Sequence, residues 1–326
     1  MPYPNHTIIE FILRGFSDVP RLHILIFLLV LLIYLITLGG NITTFLLVCL
    51  NSHLHTPMYF FLANLSVLDM SSSTTALHKI FTLFILKDGT ISYVSCLAQL
   101  FIFCSLTGDQ IWILAAMSYD RYVAICRPLY YHMIMSWRCC VLLACVCWVL
   151  GFLEILPLVI ILSHFTCYKS NKIDHFFCDI FPLIEITCDD KTAVDLYTYT
   201  VGLSHLTASF SFTFIPYVYI ISCILHISSG AGRLKAFYTC SSHIIMVLMF
   251  YMAILLQYII LALINSNISK KLFAVLNTAI IPMLNPLIYS LKNNDVKLAL
   301  QRMLKKKNKM LKCSNLIINS IMQNKT

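Results

Sequence analysis

Met117-Ser118-Tyr119-Asp120-Arg121-Tyr122-Val123-Ala124-Ile125-Cys126-Arg127-Pro128-Leu129-Tyr130 closes a long apolar run with a charged triplet. The residues before it, from about Leu97 to Met117, are long enough to cross a hydrocarbon core of ~30 Å as a helix, which takes ~20 residues. Asp120 and Arg121 therefore sit at a membrane face. Pro128 fixes its own φ and disfavours helical geometry at Arg127, so the helix is expected to end there.

Outward from this stretch, the 326 residues are 59% hydrophobic and 11% charged, far below the ~25% charged residues of an ordinary soluble domain. Seven apolar segments follow one another: Leu22–Leu50, Met58–Leu86, Leu97–Tyr122, Cys139–Leu162, Leu196–Ile227, Phe237–Ile264 and Leu272–Leu291. Each is helical by necessity, because a lipid core offers no partner to an unpaired backbone group. The expectation is an all-α membrane protein: a seven-transmembrane helix bundle over residues 22–291, a 21-residue N-terminal segment before it, and a tail from residue 292 to 326 that begins as a short amphipathic helix.

The net charge is +9, and its distribution orients the chain: the Asp120 side holds fourteen Lys/Arg and two acids, the other side nine of each. Lys and Arg concentrate near span ends on the cytoplasmic side. The expected topology is thus an extracellular N-terminus and a cytoplasmic C-terminus in the plasma membrane. Met1 to Arg21 lacks the basic start, apolar core and small-residue cleavage site of a signal peptide, so the first span is expected to serve as the insertion signal. The basic tail from Arg302 to Lys312 suits anionic lipid, and no aromatic-interleaved nucleic-acid module accompanies it. Cys313 behind it is a candidate for palmitoylation.

On this topology Asn5-His6-Thr7 is the best glycan acceptor, Asn267-Ile268-Ser269 lies close to the membrane, and the sequons at Asn41, Asn64 and Asn324 are expected to be unmodified. Of fourteen cysteines, Cys96, Cys167, Cys178 and Cys188 fall on the oxidising side. Four cysteines allow three pairings, and spacing does not choose among them.

Arg121 also sets the rotation of the third helix. A charge near lipid faces the bundle interior, and Met117, Leu114, Gln110, Thr107 and Phe103 share its face at spacings of three and four. The upper part of this stripe, with its neighbours Cys104 and Gly108, is expected to line a cavity beside Phe103 and Thr107. Asp109 points instead toward a neighbouring helix, and Glu154 near Pro157 reads as a polar partner between helices. Asn41, Asp69, Asn285 and Tyr289 are polar residues deep in spans and should converge inside the bundle. Pro286 removes a helix hydrogen bond and should bend the seventh span.

Other function classes leave no trace. No His-Glu-x-x-His, Gly-x-Ser-x-Gly or paired catalytic carboxylates occur, which argues against an enzyme, and no repeat-related broken helices or acids mark a transporter. No cofactor or metal is called for.

Five blocks in order on these spans carry a resemblance over nearly the full length. They are Gly40-Asn41, Leu54-His55-Thr56-Pro57-Met58-Tyr59-Phe60-Phe61-Leu62, Met117 to Cys126, Lys235-Ala236-Phe237-Tyr238-Thr239-Cys240-Ser241-Ser242-His243, and Pro282-Met283-Leu284-Asn285-Pro286-Leu287-Ile288-Tyr289-Ser290. With them the chain resembles a vertebrate olfactory receptor of the rhodopsin-like G-protein-coupled class.

The resemblance implies disulfides Cys96–Cys178 and Cys167–Cys188, with the segment Ile173 to Asp179 as a loop over the bundle rather than a metal site at His175. It implies that the remaining cavity walls are His205, Thr207, Ala208 and Ser211 on the fifth span, Tyr251, Ile254, Leu255 and Tyr258 on the sixth, and Thr278 on the seventh. Phe103 matches the position of the aspartate of amine-binding relatives, which disfavours a charged amine held there. Asp120, Arg121 and Tyr122, with Asn285, Pro286 and Tyr289, would form the switch read by a heterotrimeric G protein of the stimulatory olfactory type, raising cyclic AMP when a small, largely apolar odorant binds. Asn41, Asp69 and Gln110 would form the polar core. Gln110 replaces a usual glutamate, which weakens the case for sodium at Asp69. Ser222-Cys223 matches a Ser-Tyr pair at the base of the fifth span, so the tyrosine hydroxyl that helps hold Arg121 in the open form is expected to be lost. A rhodopsin-like receptor for a non-odorant small molecule, or a weakly responsive receptor, is the alternative within the class.

Overall fold

The structure is a computed structural model that describes residues 10–16, 23–263, 266–292 and 296–302. Asn5, Asn324, Cys313 and the tail beyond residue 302 lie outside the described residues.

Seven long helical segments form one bundle. They are α1 (His23–Leu50), α2 (Pro57–Leu86), α3 (Tyr93–Cys126), α5 (Trp137–Ser163), α7 (Thr192–Leu225), α8 (Gly230–Leu263), and a composite of α9 (Asn267–Val275), a π turn (Leu276–Ile280) and α10 (Ile281–Lys292). Two short helices, α4 (Tyr131–Ile134) and α6 (Ile180–Ile186), lie in connections. Six of the seven are apolar enough to cross a membrane by length and composition alone. The seventh, α2, is 30 residues long and carries Asn64, Asp69, Ser71, Ser72, Ser73, Thr74 and Thr75. It qualifies because Asp69, Ser72 and Ser73 are buried against neighbouring helices instead of facing lipid.

Leu28, Leu32, Leu153, Leu156 and Ile215 point outward from the bundle. Lipid is as apolar as leucine, so such a bundle is held by close packing and interhelical hydrogen bonds rather than by burial of apolar surface. Glycine provides the closest approaches. On α3 and α5, Gly108 and Gly151 pack backbone to backbone, and a Cβ on Gly151 would lie 2.7 Å from the Ser105 carbonyl oxygen and collide with the Asp109 carboxylate. On α1, a Cβ on Gly40 would lie 2.8 Å from the Pro286 ring. That contact explains the neighbouring asparagine. Pro286 has no N–H, so the Pro282 carbonyl lacks its ordinary helical partner, and Asn41 Nδ2 donates to it at 3.0 Å.

Helix ends follow local chemistry. Ser92 starts α3 and Ser136 starts α5, each side chain accepting from the amide three residues on. As expected from Pro128, α3 ends at Cys126. Besides Pro286, which sits inside α10, the seventh span carries an interruption the sequence did not announce, the π turn at Leu276–Ile280. Hydroxyls of other helices take up the loosened carbonyls, with Ser73 Oγ donating to Thr278 O at 2.7 Å and Thr37 Oγ1 to Ala279 O at 3.4 Å. Residues 296–302 are helical, with Val296 and Ala299 buried and Lys297, Leu298 and Arg302 exposed.

The end of the bundle remote from Arg121 carries a feature outside the all-α expectation. Strand β1 (Glu10–Leu13) pairs antiparallel with β2 (Thr90–Ser92) and parallel with β3 (Lys172–Ile173). The disulfide Cys96–Cys178 ties the loop that holds β3 to the start of α3, directly after β2, and this leaves a slot that β1 fills. Phe11, Ile91 and Ile173 are buried there beside Cys96 and Cys178; burying a phenylalanine in this way contributes about 2–3 kcal/mol. A second disulfide, Cys167–Cys188, closes the loop on itself.

Candidate functional site

Below the disulfide loop lies a cavity of about 250 Å³. Its α3 wall is Phe103, Cys104, Thr107 and Gly108, the four residues that the arginine-based rotation of the helix selects. His205 of α7, Ile254 of α8 and Thr278 of the π turn also line it. The loop supplies the roof: Phe177, adjacent to the Cys96–Cys178 bond, packs edge-on against Phe103 with ring centroids 4.9 Å apart.

Five of the expected wall residues lie elsewhere. Thr207 and Ser211 are exposed on the outer face of α7, and their hydroxyls bond back to carbonyls of their own helix. Leu255 is exposed on the outer face of α8. Ala208 is half-buried but lies off the cavity. Tyr251 is buried below it, its hydroxyl 3.2 Å from Thr213 Oγ1. The reason is rotational: α7 turns His205, Gly202, Val201, Thr198 and Tyr197 inward, one to two turns nearer the loop. The side chain of Tyr258 lies outside the described residues.

Several lining residues were not foreseen. Glu154 faces the cavity and its Oε2 meets His205 Nδ1. Tyr197 Oη donates to the Glu154 carbonyl at 2.6 Å, fixing α5 against α7 at this level. The signal was present in the sequence, since a carboxylate inside a span is costly and marks function by default. Asp179, Gln257 and Asn277 also line the cavity, and Asn277 Nδ2 hydrogen-bonds Gln257 Oε1. Asp109, by contrast, is fully buried in the α3–α5 contact against Gly151.

The cavity floor is one hydrogen bond from the polar core. Ser72 and Gln110 form part of that floor. Gln110 Nε2 donates to Ser72 Oγ at 3.2 Å and to Asp69 Oδ1 at 2.9 Å, while Asn285 Nδ2 donates to Asp69 Oδ2 at 2.6 Å. Both carboxylate oxygens thus receive amide donors, one from α3 and one from α10. Asn41 joins α1 to the same region through Pro282.

At the opposite end, Arg121 Nε donates to Asp120 Oδ2 at 2.9 Å, and Nη2 bonds the same oxygen. Tyr131 of α4 donates to Asp120 Oδ1 at 2.8 Å. Tyr122 packs on Tyr219 of α7 at 5.8 Å. Here the sequence expectation about the fifth span needs correction. Tyr217 of α7 is buried next to this triplet and its hydroxyl bonds His243 Nδ1 of α8. The tyrosine taken as missing at Cys223 stands six residues earlier on α7, so the base of the fifth span keeps a phenol.

The loop end has its own electrostatics. Burial would raise Asp174, but the hydrogen bond and charge of Lys271, with Asn267 and Arg14, hold its carboxyl below the usual range. Lys271 Nζ is 2.5 Å and Asn267 Nδ2 is 2.6 Å from the Asp174 carboxylate, so the amide that would carry a glycan is already engaged. Burial pushes His175 down to about 3, with the Lys271 charge adding to the effect; the neutral ring stacks on Phe176 at 4.6 Å. Burial pushes Asp179 up to about 6 against the hydrogen bond from the Ile180 amide. Among the described residues no cluster of three or more His, Cys, Asp or Glu is placed to hold a metal.

A family model described as "Olfactory receptor" matches residues 30–307. Human olfactory receptor 6C1 is 42% identical over 303 residues, covering 93% of this chain and 97% of that protein. Human olfactory receptor 8B12 is 42% identical over 311 residues, 94% of this chain and 99% of that protein, and mouse olfactory receptor 8C8 is 43% identical over 296 residues, 91% and 95%.

Proposed function

The chain belongs to the olfactory receptor family, and from that premise we propose that it couples a small odorant in the cavity to a heterotrimeric G protein of the stimulatory olfactory type, raising cyclic AMP. The observation that carries this reading is the unbroken polar path: cavity floor at Gln110 and Ser72, then Asp69, then Asn285 on α10. A ligand pressing on Gln110 acts on the hydrogen bonds that tie α3 to α2 and α10. Rearranging them shifts the inner ends of those helices, and a ligand moves such an equilibrium only by binding one arrangement better than the other.

In the resting arrangement Asp120 holds Arg121, and Tyr131 holds Asp120. Activation frees Arg121 for the G protein, with Tyr122, Tyr217, Pro286 and Tyr289 forming its surroundings. This places the Arg121 end in the cytoplasm and the N-terminus outside, where Asn5 carries a glycan. The helix at residues 296–302 and the basic tail after it lie on anionic lipid of the inner leaflet.

A cyclic-AMP assay in cells expressing the olfactory G protein tests the proposal with an odorant panel. Arg121→Ala is expected to abolish the response while the protein still reaches the surface. A response that survives this substitution refutes the assigned switch.

A further inference from the structure

The cavity that this proposal treats as the odorant site has an uneven ionisable inventory. Glu154, Asp179 and His205 line it, and no lysine or arginine does among the described residues. The rest of the wall is largely apolar, with Phe103, Ile111, Leu158 and Ile254. Two carboxylates against one imidazole leave an excess of acceptor oxygens in a site otherwise built for an apolar body.

Glu154 is the better placed of the two. Its Oε2 and His205 Cε1 converge on Gly108 of α3, where a Cβ would stand 4.0 and 3.9 Å from them. Gly108 itself lines the cavity, so the lack of a side chain there leaves the carboxylate open to a ligand. The partner of Glu154 inside the protein is replaceable: His205 Nδ1 meets Glu154 Oε2 but makes no well-aligned hydrogen bond. An alkyl amine is a stronger base than an imidazole. It arrives as a cation and takes the carboxylate from His205 as a charge-assisted donor. A carboxylic acid would instead meet two like charges, and an alcohol would form a weaker neutral hydrogen bond.

Resting on the odorant-receptor reading, we infer that the ligands of this site are small apolar molecules bearing one basic nitrogen, anchored on Glu154 rather than at the Phe103 level of α3. Phe103 lacks the carboxylate that would hold an amine from that helix, and the charge is supplied from α5 across Gly108.

Hexylamine, hexan-1-ol and hexanoic acid share one apolar body and test the class in the cyclic-AMP assay. Hexylamine is expected to reach half-maximal response at a concentration about tenfold or more below hexan-1-ol, as a hydrogen bond to a charged group should give, with hexanoic acid weakest. Glu154→Gln is expected to raise the hexylamine value about tenfold and leave hexan-1-ol within about threefold, while Glu154→Asp keeps most of the amine preference. If Glu154→Gln is retained inside the cell, the wild-type order and Glu154→Asp still decide. Hexan-1-ol or hexanoic acid as potent as the amine, or an equal loss for amine and alcohol in Glu154→Gln, overturns the assignment. Silence toward all three at normal surface expression also overturns it, and the wider odorant panel with Arg121→Ala then judges the receptor reading separately.

Discussion

Replacing Gln110 by glutamate inverts the chemistry of the polar core with almost no change in shape. Gln110 Nε2 stands 2.9 Å from Asp69 Oδ1 and 3.2 Å from Ser72 Oγ. The substitution puts a carboxylate oxygen where that donor is, which removes a hydrogen bond to a charged group, about 1.5–3 kcal/mol. It also sets two carboxyl groups about 3 Å apart, whose repulsion with both ionised is about 6 kcal/mol at an effective dielectric constant of ~20. The pair escapes the full repulsion by sharing a proton or a small cation. With only a bulky cation in the buffer, a net deficit of about 3 kcal/mol remains, and at ~2 °C per kcal/mol the unfolding midpoint falls by roughly 6 °C. Sodium is expected to be drawn to the two carboxyl groups and Ser72 Oγ, so sodium chloride should restore most of the loss. The assay is thermal unfolding of purified protein in detergent, in sodium chloride and in choline chloride at equal ionic strength and pH. The wild type is expected to unfold at the same midpoint in both salts, because Gln110 and Asn285 already occupy both Asp69 oxygens. A Gln110→Glu protein as stable as wild type in choline, or equally destabilised in both salts, would refute the account of this core.

Gly151→Ala should lower surface expression, measured by immunostaining of intact cells, because its Cβ has only the Ser105 carbonyl at 2.7 Å and the Asp109 carboxylate to meet; overpacking of this kind costs about 1–3 kcal/mol. Gly39→Ala is the control, with nothing within 4 Å of the added atom, and should express normally. Asp179→Asn should stabilise the loop end at pH 7.4 by up to about 3 kcal/mol. Burial raises this carboxyl from 3.8 to about 6, so the folded protein binds the proton more tightly, and the penalty of ionising it is complete above pH 6. The advantage of the variant should shrink as the pH falls from 6 and vanish below 4, which unfolding midpoints across that range would show.

Arg121 made the third helix legible from sequence alone. A single charge that must avoid lipid sets the rotation of a helix, and rotation then places every residue at spacings of three and four; Phe103, Cys104, Thr107 and Gly108 all line the cavity. Helix α7 offered no such anchor. Its Thr200, Ser204, Thr207 and Ser211 form a hydroxyl stripe that looks like an inward polar face, yet all four are exposed. Their hydroxyls bond carbonyls of their own helix, so they satisfy themselves and need no interior partner. Polarity therefore locates the interior only for charged groups that lipid cannot solvate, as Arg121, Asp69 and Glu154 are, and not for hydroxyls that bond back to their own helix.

The same distinction explains what was missed at the two ends. The β1 strand depends on a disulfide, between residues more than eighty positions apart, that holds β2 and β3 on either side of it, and no local pattern announces it. Tyr217 was overlooked because the base of α7 was read at Cys223, whereas the spatial test is which phenol reaches His243 beside Arg121. Glu154 had the right warning, a carboxylate within a span, and was read as a polar partner between helices; it does meet His205 of α7, and what the sequence did not announce is that it also lines the cavity. Its side chain reaches the cavity only because Gly108 and Gly151 let α3 and α5 approach backbone to backbone. A bulkier residue at either glycine would push the helices apart and move the Glu154 carboxylate away from the cavity wall, so two residues without functional groups govern where that carboxylate stands.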